Sequence, residues 1–145
     1  MRNVLSEPGN PVGFTAYATT SRDYTSGETM LFDATVTNLG GHFNPYDSIF
    51  RCPYEGVYMF SVNVLAQPGK HTYGAIWKDD EYLVDTFADL DIADVVVFSQ
   101  ASTMVITQCW PHQEVSVRAT WDSNLFGNPA ERHSSFSGYL LQQYL

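Results

Sequence analysis

Three sets of residues in this 145-residue chain could do chemistry. The first is acidic. Asp85, Asp89, Asp91 and Asp94 fall close together, and hard carboxylate oxygens of this kind suit calcium, which completes its shell with backbone and water oxygens. No EF-hand loop is present, and the bland alternative is a solvated acidic loop. The second set is aromatic and polar. Trp110 and Trp121 flank the segment 111–120, with His112, Gln113 and Asp122 beside them. An indole face next to amide, imidazole and carboxylate groups can stack on a sugar and fix its orientation, or equally belong to the core, which is the reading for Trp77. The third set is Cys52 and Cys109, too few for a disulfide scaffold and in no CxxC pair. By themselves they read as buried thiols.

Catalytic signatures are missing. There is no GxSxG elbow, no HExxH, no P-loop and no glycine-rich dinucleotide fingerprint. His42, His71, His112 and His133 lie too far apart for a short-range zinc pair. The chain is therefore expected not to be an enzyme. Its net charge of −9, with seven Lys and Arg residues, argues against binding nucleic acid or an anionic membrane surface. No Asn-x-Ser/Thr acceptor occurs, and no apolar run is long enough to span a membrane.

The elements that must position these groups are strands. Hydrophobic residues make up 44% of the chain and aromatics 14%, enough for one packed domain, with Val, Thr, Tyr and Phe frequent and no helical periodicity. Residues 1–11 read as a flexible lead and 12–145 as one domain. Strands are expected at 12–19, 30–37, 57–66, 73–78, 81–86, 95–109 and 114–121, separated by turn signals such as Asn38-Leu39-Gly40-Gly41, Gln67-Pro68-Gly69-Lys70 and Asp79-Asp80. Val57-Tyr58-Met59-Phe60, Val95-Val96-Val97-Phe98 and Tyr139-Leu140-Leu141 lack the alternation of a half-wet sheet. Their second face must be covered, by another subunit or by the chain's own loops.

Several short motifs stand in a familiar order: Val12-Gly13-Phe14-Thr15-Ala16, Phe32-Asp33, Thr37-Asn38-Leu39-Gly40, Phe50-Arg51-Cys52-Pro53, Gly56-Val57-Tyr58-Met59-Phe60-Ser61 and Ser135-Phe136-Ser137-Gly138-Tyr139-Leu140-Leu141. Together they resemble the globular head domain of the C1q family over residues 12–141. One departure falls at a tight turn, where the family's Gly-Asp-x-Val reads His112-Gln113-Glu114-Val115.

The resemblance implies an all-β fold, a jelly-roll sandwich of about ten strands of the C1q/TNF type, assembled as a homotrimer. Opening and closing strands would lie inside the trimer, with Tyr17, Tyr58, Phe60 and Tyr139 at its interface. It implies that the strand beginning near Cys52 and the strand running from about Ser99 to Cys109 are antiparallel neighbours, start beside end, which would let the two sulfurs form a disulfide. It places the acidic segment near the trimer apex, making Asp89, Asp91 and Asp94 the calcium candidates. The family acts outside the cell without catalysis. The start, MRNVLSEPGNPVG, lacks the apolar core of a signal peptide, so a secreted form implies a leader already removed. With no collagen-like Gly-x-y stalk, the chain resembles invertebrate C1q-domain proteins that act as lectins in innate immunity, recognising carbohydrate or microbial surface ligands. The alternative is an extracellular protein ligand or calcium-binding matrix component that binds no sugar.

Overall fold

The computed structural model describes residues 9–89 and 97–145. Twelve strands run through them, and no helix occurs among the described residues: β1 Gly13–Tyr17, β2 Arg22–Tyr24, β3 Ala34–Leu39, β4 Phe43–Asn44, β5 Ile49–Arg51, β6 Gly56–Ala66, β7 His71–Lys78, β8 Glu81–Asp89, β9 Ser99–Cys109, β10 Glu114–Ala119, β11 Ser123–Leu125 and β12 Ser135–Gln143. One five-stranded sheet has the order β3-β1-β12-β6-β9, and the other has the order β4-β5-β10-β7-β8. A two-stranded ribbon, β11-β2, lies at one end. The expected ten-stranded sandwich corresponds to the two sheets, and the ribbon is additional.

Inward-facing aromatics bind the sheets together. Phe14 stacks on Phe43 with ring centroids 4.6 Å apart and meets Phe136 edge-on at 5.0 Å, while Phe60 packs on Phe50 at 5.5 Å. Such pairs combine large buried area with favourable ring geometry. Gly138 admits these rings: a Cβ there would stand 2.5 Å from Phe60 and 2.8 Å from Phe14.

Strand β6 alternates from Gly56 to Val64, turning Tyr58, Phe60, Val62 and Val64 to the core. This corrects the expected interface role of Tyr58 and Phe60, both fully buried within the subunit. Within Val57–Phe60 both faces are apolar, and the polar residues that mark the outer face, Ser61 and Asn63, come only further along the strand. The outer face of β6 carries Val57, Met59, Ser61 and Asn63, all partly exposed. Tyr139 lies on that outer face, 43% exposed, and Tyr17 is half-buried under the Arg132 guanidinium. Register continues this face across the whole sheet. Ile106 on β9 stands opposite Met59, Met59 opposite Tyr139, Tyr139 opposite Gly13, and Gly13 opposite Leu39. Val97 and Phe98 precede β9 and are partly exposed; Val95 and Val96 lie outside the described residues.

Candidate ligand-binding site

The strands give the domain two ends. At one end lie the start of β6, the end of β9, the β7–β8 turn and both described chain ends, with the Tyr144 N–H donating to the Glu55 carbonyl. Cys52 and Cys109 are joined there in a buried disulfide with Cα atoms 6.4 Å apart. The β9–β10 turn is tied down around it. Cys52 N–H donates to the Gln113 carbonyl at 3.0 Å, and His112 N–H donates to the Cys52 carbonyl at 2.8 Å. The Gln113 side chain accepts from Trp110 N–H at 2.9 Å and donates to the Asp79 carboxylate at 3.3 Å. Asp79 in turn accepts from Glu114 N–H, and its carbonyl accepts from Arg118. His112 takes the φ of +74° that the family's glycine would adopt freely, so the turn persists despite the substitution.

At the opposite end lie the start of β7, the end of β10 and the β2–β11 ribbon. Strand β10 alone rises about 20 Å between the two ends. The expected ligand set is therefore split. Trp110, His112 and Gln113 sit at the disulfide end, and Trp121 and Asp122 at the other. Gln113 is spent on holding the turn, while Trp110 and Trp121 are 55% and 65% exposed.

Asp122 faces an open cleft of about 360 Å³, walled by the ribbon residues Asp23, Tyr24, Ser123 and Asn124 and by the β6–β7 turn residues Gly69, Lys70 and His71. Pairing of β2 with β11 sets Asn124 directly opposite Asp23. The Asn124 amide donates to Asp23 Oδ1 at 2.9 Å and to the Arg22 carbonyl at 3.4 Å. Lys70 Nζ lies 3.9 Å from the same Asp23 oxygen. Ser26 N–H donates to Asp122 Oδ1 at 3.4 Å, and the Thr72 hydroxyl donates to the Asn124 carbonyl, anchoring β11 on β7. Burial pushes the Tyr24 phenol above its usual range, keeping it neutral, and its oxygen accepts from Leu31 N–H at 2.9 Å. Asp23, Lys70 and Asn124 were not among the ligand candidates read from the sequence. The stretch 20–28 shows only as a polar break, and its partner strand lies about a hundred residues away.

Of the expected calcium ligands, Asp89 ends β8 opposite His71 and accepts from the Tyr73 hydroxyl at 2.6 Å. Asp91 and Asp94 lie outside the described residues. Among the described residues, no three His, Cys, Asp or Glu side chains gather as a metal site, and no helix is long and apolar enough to cross a membrane.

The family model of the C1q domain matches residues 13–141. The chain belongs to the C1q domain family. This C1q domain is 31% identical over 125 residues to complement C1q tumor necrosis factor-related protein 1 of Mus musculus, covering 84% of the chain and 42% of the relative. It is 30% identical over 115 residues to the mouse protein numbered 7 in the same series, covering 77% of the chain and 38% of the relative. The chain thus spans about two fifths of the length of these relatives. Multimerin-2 of Homo sapiens is 40% identical over 68 residues, 47% of the chain and 7% of that protein. Among solved structures, Eiger TNF from S. frugiperda superposes with a TM-score of 0.73 at 10% identity, covering 94% of this chain and 96% of that one. The globular domain of zebrafish complement 1qA gives 0.70 at 14%, covering 92% and 99%. At such identities these likenesses show the C1q/TNF jelly-roll fold alone.

Proposed function

We propose that this C1q domain is a secreted, non-catalytic recognition protein that assembles as a homotrimer and binds carbohydrate at the cleft end. The observation carrying this reading is the open cleft beside Asp122, with Asp23 and Lys70 on its walls, next in sequence to the exposed Trp121 indole, at the end away from the described chain ends. Its carboxylates and ammonium can orient sugar hydroxyls, and a neighbouring aromatic face can supply stacking area. The buried disulfide supports an oxidising, extracellular setting. The trimer draws support from the outer row Ile106–Met59–Tyr139–Gly13–Leu39, in which Ile106, Tyr139 and Leu39 are 58%, 43% and 47% exposed. A row of this kind is an interaction surface when contiguous. Three clefts on one trimer would multiply weak single-site affinity.

Calcium is part of the same reading. Asp89, Asp91 and Asp94 would supply carboxylate oxygens to it, and the ion would offset repulsion among acidic groups. Changing Asp91 and Asp94 together to Ala should abolish any rise in melting temperature on adding calcium.

The deciding experiment is a glycan array probed with the folded protein, with calcium and with chelator in parallel. Selective sugar binding is the expected outcome. A blank array under both conditions overturns the carbohydrate reading in favour of a protein partner or matrix role. Light scattering that returns the chain mass of 16.3 kDa at micromolar protein overturns the trimer.

A further inference from the structure

A second concavity, of about 290 Å³, lies at the same end: Asn124 lines the cleft, and Phe126, two residues on, lines this pocket together with Leu65, Phe98, Gln100, Glu131 and His133. Backbone bonds build it. Leu65, near the end of β6, accepts from Phe126 N–H at 2.9 Å and donates its own N–H to the buried Ser134 hydroxyl at 3.2 Å, so both limbs of the loop 126–134 are fixed to one residue. Asn128 Oδ1 closes the turn between them, accepting from Ala130 and Glu131 N–H. Arg132 folds over the Tyr17 ring, 4.7 Å from its centroid, and neither it nor any Lys is among the residues lining the pocket. The body of the pocket is apolar and its rim is acidic. Phe98 meets Phe126 edge-on at 5.3 Å above the buried Leu65, yet Phe98 itself is 51% exposed, which leaves a concave aromatic wall in water. Glu131, with a side chain 61% exposed, has one oxygen 3.2 Å from His133 Nε2, and its other oxygen has no partner among the described residues.

We propose that this pocket binds a small organic cation, an ammonium group carried on an aromatic or similarly compact apolar body. The inference goes beyond the carbohydrate reading and does not rest on it. The body displaces water from Leu65, Phe98 and Phe126, while the ammonium stays at the rim beside Glu131, where it keeps part of its hydration. A carboxylate in that place meets like charge. Because the loop is already tied at both limbs, little ordering is lost on binding. Gln100 and Ile106, on one face of β9, are about 20 Å apart, so the pocket stands apart from the row offered above for assembly.

The test is titration calorimetry on the folded full chain with phenethylammonium, phenethyl alcohol, hydrocinnamate and methylammonium. Phenethylammonium should bind about fivefold more tightly than the alcohol, roughly 1 kcal/mol, the upper end for an exposed ion pair. Hydrocinnamate should bind more weakly than either. Glu131→Gln should bring the ammonium and the alcohol to parity at an unchanged melting temperature, and Phe98→Ala should weaken both by the same factor. A merely structural role for Glu131 does not separate charged from neutral ligand. Parity of ammonium and alcohol in the unchanged protein, a preference that survives Glu131→Gln, or tighter binding of hydrocinnamate overturns the proposal. Methylammonium binding as tightly as phenethylammonium overturns it in favour of general attraction to the net charge of −9. No binding of phenethylammonium by folded protein also overturns it, whatever the glycan array shows.

Discussion

The two ends of the sandwich are held in different ways. At the disulfide end Gln113, Asp79, Glu114 and Arg51 form one tied surface around Cys52–Cys109, with Arg51 bridging Asp47 at 2.9 Å and Glu114 at 3.0 Å, while the Trp77 indole N–H nearby is buried without a partner among the described residues. At the cleft end, Asp23 and Asp122 each keep a carboxylate oxygen with no partner among the described residues, and the loops are joined by hydrogen bonds with no covalent tie, among them Gly27 N–H to the Ala119 carbonyl and Thr120 N–H to the Tyr73 carbonyl. The difference assigns roles. A covalently closed end fixes where the strands begin and end, and it has little left to offer a ligand. An end closed by noncovalent bonds around a short ribbon, with carboxylate oxygens facing an open cleft, is the end to which the proposed recognition is assigned.

The largest effect should come from cutting the covalent tie. Replacing Cys52 with Ala in the same chain as Cys109→Ala opens a loop of 57 residues, and the chain-entropy account gives a loss of about 4 kcal/mol. For a domain of this size that lowers the melting temperature by roughly 10 °C. Sugar affinity should change little, because the cleft lies a strand length away. Equal loss of stability and of affinity in the double variant would mean that the ends are not independent.

A smaller effect separates the ends by pH. At the cleft end, Thr19 N–H donates to Asp33 Oδ1 at 2.9 Å, and the Thr19 hydroxyl donates to the other oxygen. Burial pushes the Asp33 carboxyl up, but these bonds more than offset it, and its pKa lies below the ordinary carboxylate value. The folded state therefore binds its proton less readily than the unfolded chain does. The stabilisation is complete above the ordinary carboxylate range near pH 4, and it is lost as pH falls through the lowered value. The group is largely exposed, so screening holds the contribution to about 1 kcal/mol or less. Asp33→Asn should flatten the acid limb of the stability profile by that amount. Hydrogen exchange at Thr19 should quicken in acid relative to an amide of the disulfide end such as Cys52, and equal acceleration at both would break the comparison.

How much of this was legible depends on the range of the signal. Strand positions follow from local pattern, so β6, β9 and β12 stand where the aromatic and β-branched runs are. The Cys52–Cys109 pairing was readable through the family's strand order, because neither cysteine has local context. The inward turn of Tyr58 and Phe60 was readable only from the later half of β6, where Ser61 and Asn63 mark the outer face and set Tyr58 and Phe60 in phase with Val62 and Val64; within 57–60 both faces are apolar and the local run hides it. The splitting of Trp110 from Trp121 was readable in principle: six strand residues between two groups place them at opposite ends. The clamp of Asn124 on Asp23 was not, because it arises only when a three-residue strand finds another across most of the chain.

The smallest effect tests the departure from the family pattern. His112 is held at φ +74° by the bonds from its own N–H to Cys52 and from Gln113 N–H to the Trp110 carbonyl. A side chain in this left-handed region costs about 1 kcal/mol that glycine does not incur. Part of the gain from His112→Gly is offset by the greater freedom of glycine in the unfolded chain. Because the imidazole is exposed, little packing is lost. The net should be a stabilisation of roughly 0.5 kcal/mol, read as a rise of one or two degrees in melting temperature. Its sign is the informative part. A rise means the disulfide end sustains a strained turn because its surroundings over-determine it, whereas a fall means the imidazole makes a contact that the turn needs, and the disulfide end is then less self-sufficient than the comparison holds.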